Sequence, residues 1–139
     1  MRLIVIGTFC FLMICSCGHS EDSTIVNKKK SAAESMDKWL SFVDSGNYSQ
    51  SWVEAGNIFK KQISDSQWTD ALKKVREPLR KSISRFQIKS DYKTSLPGVP
   101  NGEYVVFVYK TQFEKKKAKE IVTAVFEDNQ WKAVGYFIK

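Results

Sequence analysis

The chain predicts an α+β fold: three N-terminal helices packed on a four-stranded antiparallel meander sheet. Three observations carry this. Apolar residues recur at helical spacing between Ala32 and Val75. The period changes to two at Phe86. Beyond that point the apolar stretches are separated by turn material, so helices come first and strands second, with the helices on one face of the sheet.

The first helix is expected from about Ser31 to Asp44, where Ala32, Ala33, Met36, Trp39, Leu40 and Val43 form one apolar face and Gly46-Asn47 ends it. A second starts after Ser49 as N-cap, carries Trp52, Val53, Ala55, Phe59 and Ile63, and is liable to break at Gly56-Asn57. The third has the clearest start. Ser64-Asp65-Ser66-Gln67 fits a capping box, in which a serine side chain and a glutamine side chain satisfy each other's backbone N–H groups. Pro78, with no N–H to donate, ends or kinks it.

Phe86, Ile88, Ser90, Tyr92 and Thr94 then alternate with Gln87, Lys89, Asp91 and Lys93, the pattern of a half-buried strand. Leu96 to Gly102 is a turn rich in proline and glycine. Glu103 to Phe113 is the second strand, Lys115-Lys116-Lys117 the hairpin tip, and Ile121 to Glu127 the third strand. Asp128-Asn129 is a turn, and Trp131 to Ile138 the fourth strand.

The N-terminal end reads as a targeting segment. Met1-Arg2 precedes an apolar run from Leu3 to Ile14, too short to span a bilayer, which needs ~18 residues or more. Ile14-Cys15-Ser16-Cys17 resembles a bacterial lipobox, with Ser16 before the cleavage point and Cys17 as lipid acceptor. That resemblance implies a lipid anchor at Cys17 outside the cytoplasm. In a Gram-negative cell it implies the outer membrane facing the periplasm, because Gly18 is not a retention aspartate. A small-x-small match at Ser16-Cys17-Gly18 is the competing reading and would release the chain unlipidated. The organisation expected is therefore a signal peptide over 1–16, a flexible tether over 17–30, and one domain over 31–139.

The formal charge is +7, from 22 Lys and Arg against 15 Asp and Glu. A basic exported domain fits an anionic envelope surface, and Lys28-Lys29-Lys30 would sit beside the anchor. Nucleic acid is not expected as a partner in that compartment. The partners expected are the membrane, through the anchor, and an envelope protein. All three cysteines lie at or before position 17, so the domain has no disulfide to form and relies on core packing.

From about Ala33 onward the chain resembles a bacterial family known as domain of unknown function 4019. The resemblance rests on Ser51-Trp52, Ala55, Phe59, Trp68, Arg76, Pro78-Leu79 and Ser84-Arg85. It continues through Ser95 to Pro100, Gly102 to Val106, Phe113, Glu120, Trp131 and Gly135-Tyr136-Phe137-Ile138. Two positions depart from it. Arg80 stands where a glycine is usual, and Asn129-Gln130 replaces an Asp-Gly type turn. The element order is also similar to the cystatin-like and nuclear transport factor 2-like folds, which bears on architecture and not on activity.

The only histidine is His19, outside the expected domain. Serine or cysteine nucleophiles paired with histidine are thereby excluded from the domain, as are histidine or thiolate metal sites. No glycine-rich phosphate loop occurs. No cofactor, metal or catalytic residue is expected. What remains are charges and tyrosines: Arg76, Arg85, Glu103, Glu120, Tyr104 and Tyr136 are the candidate pocket or ion-pair residues, with Tyr92 as a further hydrogen-bonding group. Lys115, Lys116 and Lys117 are the candidate basic contact.

The function expected is a non-enzymatic, anchored binding or interaction module. The alternatives are a small-ligand pocket using a carboxylate for acid–base work, and a structural envelope component.

Overall fold

The structure, a computed structural model, describes residues 21–139. The signal segment and Cys17 lie outside the described residues. Four α-helices are followed by a four-stranded antiparallel sheet in the order β1-β2-β3-β4, the α+β meander expected. The helices are α1 (Ser23–Asp44), α2 (Tyr48–Val53), α3 (Asn57–Gln62) and α4 (Asp65–Arg76); a 3-10 turn (Glu77–Leu79) follows. The strands are β1 (Ser82–Lys93), β2 (Tyr104–Phe113), β3 (Lys117–Glu127) and β4 (Gln130–Ile138). Among the described residues no helix is long and apolar enough to cross a membrane.

Helix α1 starts eight residues before the expected Ser31, so 23–30 is helix and not tether. Its first two turns bury little, which is why apolar spacing misses them. Polar contacts hold them instead. The Asp22 side chain accepts from the Thr24 N–H at 3.0 Å as N-cap. Lys28 pairs with Glu103 at 2.6 Å and lies 5.3 Å over the Tyr92 ring, and Lys29 pairs with Glu21 at 2.7 Å. The next helical stretch divides at Gly56, as its sequence suggested, but its N-cap is Asn47 and not Ser49. Gly56 is required there: a Cβ would stand 2.7 Å from Val134 Cγ1, while its N–H donates to the Ala133 carbonyl at 2.7 Å.

The capping box of α4 forms as read, with both reciprocal bonds between Ser64 and Gln67. The helix stops before Pro78, and the chain leaves through Arg80 at φ 63°, ψ −153°. That region is close to exclusive to glycine and costs a side chain-bearing residue ~1–3 kcal/mol. Arg80→Gly is therefore expected to raise stability by about 1 kcal/mol, after allowing for glycine's greater freedom when unfolded. Urea unfolding of the two proteins reads it, and an unchanged or lower midpoint would show the turn relaxed around arginine.

The helix layer and the inner sheet face share one core. Met36, Trp39, Leu40 and Val43 of α1 and Trp68 and Leu72 of α4 pack on Val105, Phe107, Val122, Ala124 and Ala133. All four indole N–H groups are satisfied: Trp39 by the Ser51 carbonyl, Trp68 by Ser51 Oγ, Trp52 by the Ile63 carbonyl and Trp131 by Ser31 Oγ. The tryptophans are thus packing elements with anchored edges.

Strand β1 departs from its expected parity. Phe86 is 67% exposed and Ile88 52% exposed, whereas Arg85 is turned in toward the helices. A one-residue slip moves every side chain of a strand to the other face. Bulges at Ile83 and Ile88, seen as register breaks against β2, restore the parity so that Ser90 and Tyr92 lie opposite the inward Phe107 and Val105. The charge on Arg85 decides this, for a reason found in the site below. The last hairpin closes through Asp128 and Asn129, both at positive φ (50° and 60°), as a two-residue turn of the tight type requires.

Candidate functional site

Four charged side chains converge where the C-terminal turns of α1 and α4 meet the centre of the sheet. Asp44 ends α1, Arg76 ends α4, Arg85 comes from β1 and Glu120 from β3. Glu120 is 0% exposed, and both its oxygens are saturated. Oε1 accepts from the Tyr136 hydroxyl at 2.5 Å, Arg85 Nη2 at 3.1 Å and Arg76 Nη1 at 3.2 Å. Oε2 accepts from Arg85 Nε at 2.7 Å and from the Thr111 hydroxyl. Asp44 binds the other edge of both guanidiniums. Its Oδ1 takes Arg76 Nη2 at 2.6 Å and Arg85 Nη2 at 2.9 Å, and its Oδ2 takes Arg85 Nη1 at 2.7 Å.

Two positive and two negative groups thus balance within one cluster. Forked guanidiniums are the group suited to this, since their fixed donors match carboxylates two at a time. Arg85 must point inward to complete the set, which reverses the parity of β1. Asp44 is unfavourably placed against the negative end of α1, and the two arginines offset that. Burial by itself would push the Arg85 guanidinium down. Its hydrogen bonds to Asp44 and Glu120, and their charges, more than reverse this and hold it above the ordinary arginine range. Arg76 also rests on the Phe113 ring, 4.6 Å from its centroid.

Of the residues singled out in the sequence, Arg76, Arg85, Glu120 and Tyr136 come together. Glu103 and Tyr104 do not join them. Glu103 sits with Lys28 near the N-terminal turns of α1, and the Tyr104 hydroxyl donates to the Pro100 carbonyl at 2.6 Å, closing the long turn. Tyr92 lies under Lys28. Lys115 and Lys116 stand at the β2–β3 tip around an open cleft of about 520 Å³ that includes Lys74, Lys139, Leu79 and Ile138. Lys117 opens β3 and is not part of the tip. Asp44 and Thr111 were missed. Each carried a signal: Asp44 continues the Met36, Leu40 spacing of the buried stripe, and Thr111 continues the inward alternation of Val105, Phe107 and Tyr109.

The arrangement offers little to a reactant. A general base must reach the proton it takes, and Glu120 has no exposure and no free lone pair. Asp44 is the most exposed of the four, at the rim of an open cleft of about 410 Å³ lined also by Tyr48, Glu77, Arg80, Lys81 and Glu114. Among the described residues no cluster of histidine, cysteine and acidic groups has the geometry to hold a metal.

Two tyrosines report the burial of this region. Tyr136 is pushed above the ordinary tyrosine range, first by burial and then by the Glu120 charge. Tyr109 is pushed up by burial and then by Asp37. Unfolded tyrosine ionises near pH ~10, so the folded state holds protons that the unfolded chain releases. The stability contribution is intact below that pH and falls as pH rises above it, by up to about 1.4 kcal/mol per pH unit for each of the two groups. Urea midpoints measured at about pH 9 and about pH 11 check this. The decline should be shallower in Tyr136→Phe, and an equal decline would remove Tyr136 as a source.

A small helix-covered meander, closed over its own charge cluster, is the class of protein that this fold and site define. The chain belongs to the family described as Protein of unknown function (DUF4019), which matches residues 35–136. That span includes the whole charge cluster and nearly all of the sheet. No curated protein matches the chain.

Proposed function

We propose that this protein is a non-enzymatic interaction module, held outside the cytoplasm by lipid on Cys17. The observation that carries the reading is the saturation of Glu120. The one constellation with ingredients for acid–base work is consumed in joining α1 and α4 to the sheet, while Lys115, Lys116 and Lys117 remain without an ion pair among the described residues. The early start of α1 adds a constraint. Cys17 stands five residues before the Asp22 cap, and five residues span at most ~18 Å. A lipid at Cys17 would hold the domain against the bilayer, with no room to range away from it.

In-cell crosslinking of the tagged full chain, beside its Cys17→Ser form, tests this. A partner or lipid contact that disappears with Cys17 is the expected result. Wild-type protein of unlipidated mass recovered in the soluble fraction would overturn the anchor. Turnover of a substrate that is lost in Glu120→Gln without loss of fold would overturn the non-enzymatic reading.

A small-ligand reading has one observation in its favour. Arg80 keeps a backbone conformation that glycine would fill at lower cost, and it does so at the rim of the Asp44 cleft. If the strain serves a ligand, Arg80→Gly should weaken binding of a small anion such as inorganic phosphate while raising stability. No phosphate-dependent chemical-shift change in the wild-type protein would remove this reading.

A further inference from the structure

The outer face of the sheet, turned away from the helices, carries an excess of positive charge. Strand register sets its rows. Phe86, Lys110 and Lys119 lie side by side across β1, β2 and β3, and Lys139, just past β4, continues the row through reciprocal backbone bonds to Lys119 of 2.8 and 2.9 Å. In the next row Lys89, Val108, Ile121 and Phe137 are neighbours. Phe86 and Phe137 are both more than 60% exposed, and the three lysines of the first row are exposed. The single acid on these rows or the adjoining ones is Asp91, and it is already paired with Lys89 at 2.8 Å. Acidic residues are plentiful on the helix side instead, where Glu34, Asp37, Glu54, Asp70 and Glu77 interleave with lysines.

Like charges directly opposite one another across strands are destabilising. Lys110, Lys119 and Lys139 nonetheless stand in one line, and none has an ion pair among the described residues. A flat counter-surface of negative charge would relieve their repulsion. Phe86 ends that line and Phe137 stands in the next row, an aromatic-and-lysine composition suited to the boundary between headgroups and acyl chains. Distance points the same way. The α1 N-terminus lies beside Tyr92 and Glu103 at one end of the sheet, so an anchor at Cys17 keeps this face within reach of the bilayer.

We propose that the outer sheet face docks flat on an anionic phospholipid surface, seating Phe86 and Phe137 at the headgroup level with Lys110, Lys119 and Lys139 on lipid phosphates. This rests on the anchored reading above and assigns its contact surface. The helices then face away from the membrane.

The test uses the full chain, expressed with its own N-terminal segment and reconstituted into vesicles of phosphatidylcholine alone or with phosphatidylglycerol added. Amine acylation read by mass spectrometry reports each lysine. With phosphatidylglycerol, Lys110, Lys119 and Lys139 should react at least about threefold more slowly, and Lys38, Lys61 and Lys73 should not change. The protection should vanish near 1 M salt, where the screening length falls to ~3 Å. Phe137→Ser should weaken it as well. Equal reactivity in both vesicles, with the protein lipidated and vesicle-bound, would overturn the docking and leave the anchor standing. Protection seen only in native membranes, and not in protein-free lipid, would make the occupant a protein and also overturn it. If Cys17 carries no lipid the anchored reading fails. The docking then stands only if the chain still floats with phosphatidylglycerol vesicles, and not with neutral ones, through these same lysines.

Discussion

Replacing Glu120 with alanine is expected to lower the unfolding free energy by about 3–5 kcal/mol, the cost of breaking a buried ion pair by removing one partner. The substitution leaves Arg76 and Arg85 buried against Asp44 alone, and it strips the Tyr136 and Thr111 hydroxyls of their acceptor. For a domain of this size that loss is a fall of about 10–20 °C in Tm. Glu120→Gln should recover only part of it, because it keeps the shape and an acceptor but not the charge. Asp44→Asn should cost less, about 1–2 kcal/mol, since water reaches Asp44 and can solvate the freed guanidinium edge. Urea unfolding followed by circular dichroism ranks the three. A Glu120→Ala cost below about 1 kcal/mol would mean that water already solvates the cluster.

Trp68→Ala is the second large effect, at about 3–5 kcal/mol. The indole stacks edge-on against Phe59 at 4.9 Å and lies 6.2 Å from both Trp39 and Tyr136, so its removal opens a void at the centre of the helix–sheet core. It also removes the donor to Ser51 Oγ at 2.9 Å, inside a serine that is itself fully buried. Trp68→Phe should keep most of the packing and lose the bond, for about 1–2 kcal/mol. Thermal unfolding separates the two substitutions. Equal losses would assign the whole effect to the hydrogen bond and none to the volume.

The two substitutions also mark how far the chain could be read without coordinates. Trp68 was legible as a core residue because helical spacing and a capping box both point to it. Arg76, Arg85, Glu120 and Tyr136 were legible only within a larger candidate set that also held Glu103 and Tyr104, with Glu120 and Arg85 as the one pair picked out of it. Asp44 was missed although it continues the Met36, Leu40 spacing, because a carboxylate ending a helix looks like a solvated residue until two arginines arrive from far along the chain. Glu103 and Tyr104 share the chemistry of the cluster but lie near the other end of the sheet, at the start of β2, where Glu103 meets Lys28 of α1 and Tyr104 closes the long turn onto Pro100.

The strand parity of β1 shows the same limit from another side. Alternation alone assigns Phe86 and Ile88 to the core. Burying a guanidinium against two carboxylates outweighed burying one phenylalanine, and two bulges absorbed the mismatch. The exposed Phe86 that results is one of the residues on which the proposed bilayer contact rests. Likewise the first two turns of α1 are held by ion pairs and a cap, which leave no hydrophobic period to read.

The sequence by itself determined the order of helices and strands, the turns, the capping box, the net positive charge and the absence of cysteine and histidine chemistry in the domain. These follow from local rules, in which each residue acts on neighbours a few positions away. Tertiary structure alone decided which charges meet, which face of β1 turns inward and which lysines line up across the sheet. Those outcomes depend on groups far apart in the chain, as Arg76 and Glu120 or Lys28 and Glu103 are, and on the high energetic penalty of leaving any one of them buried without its partner.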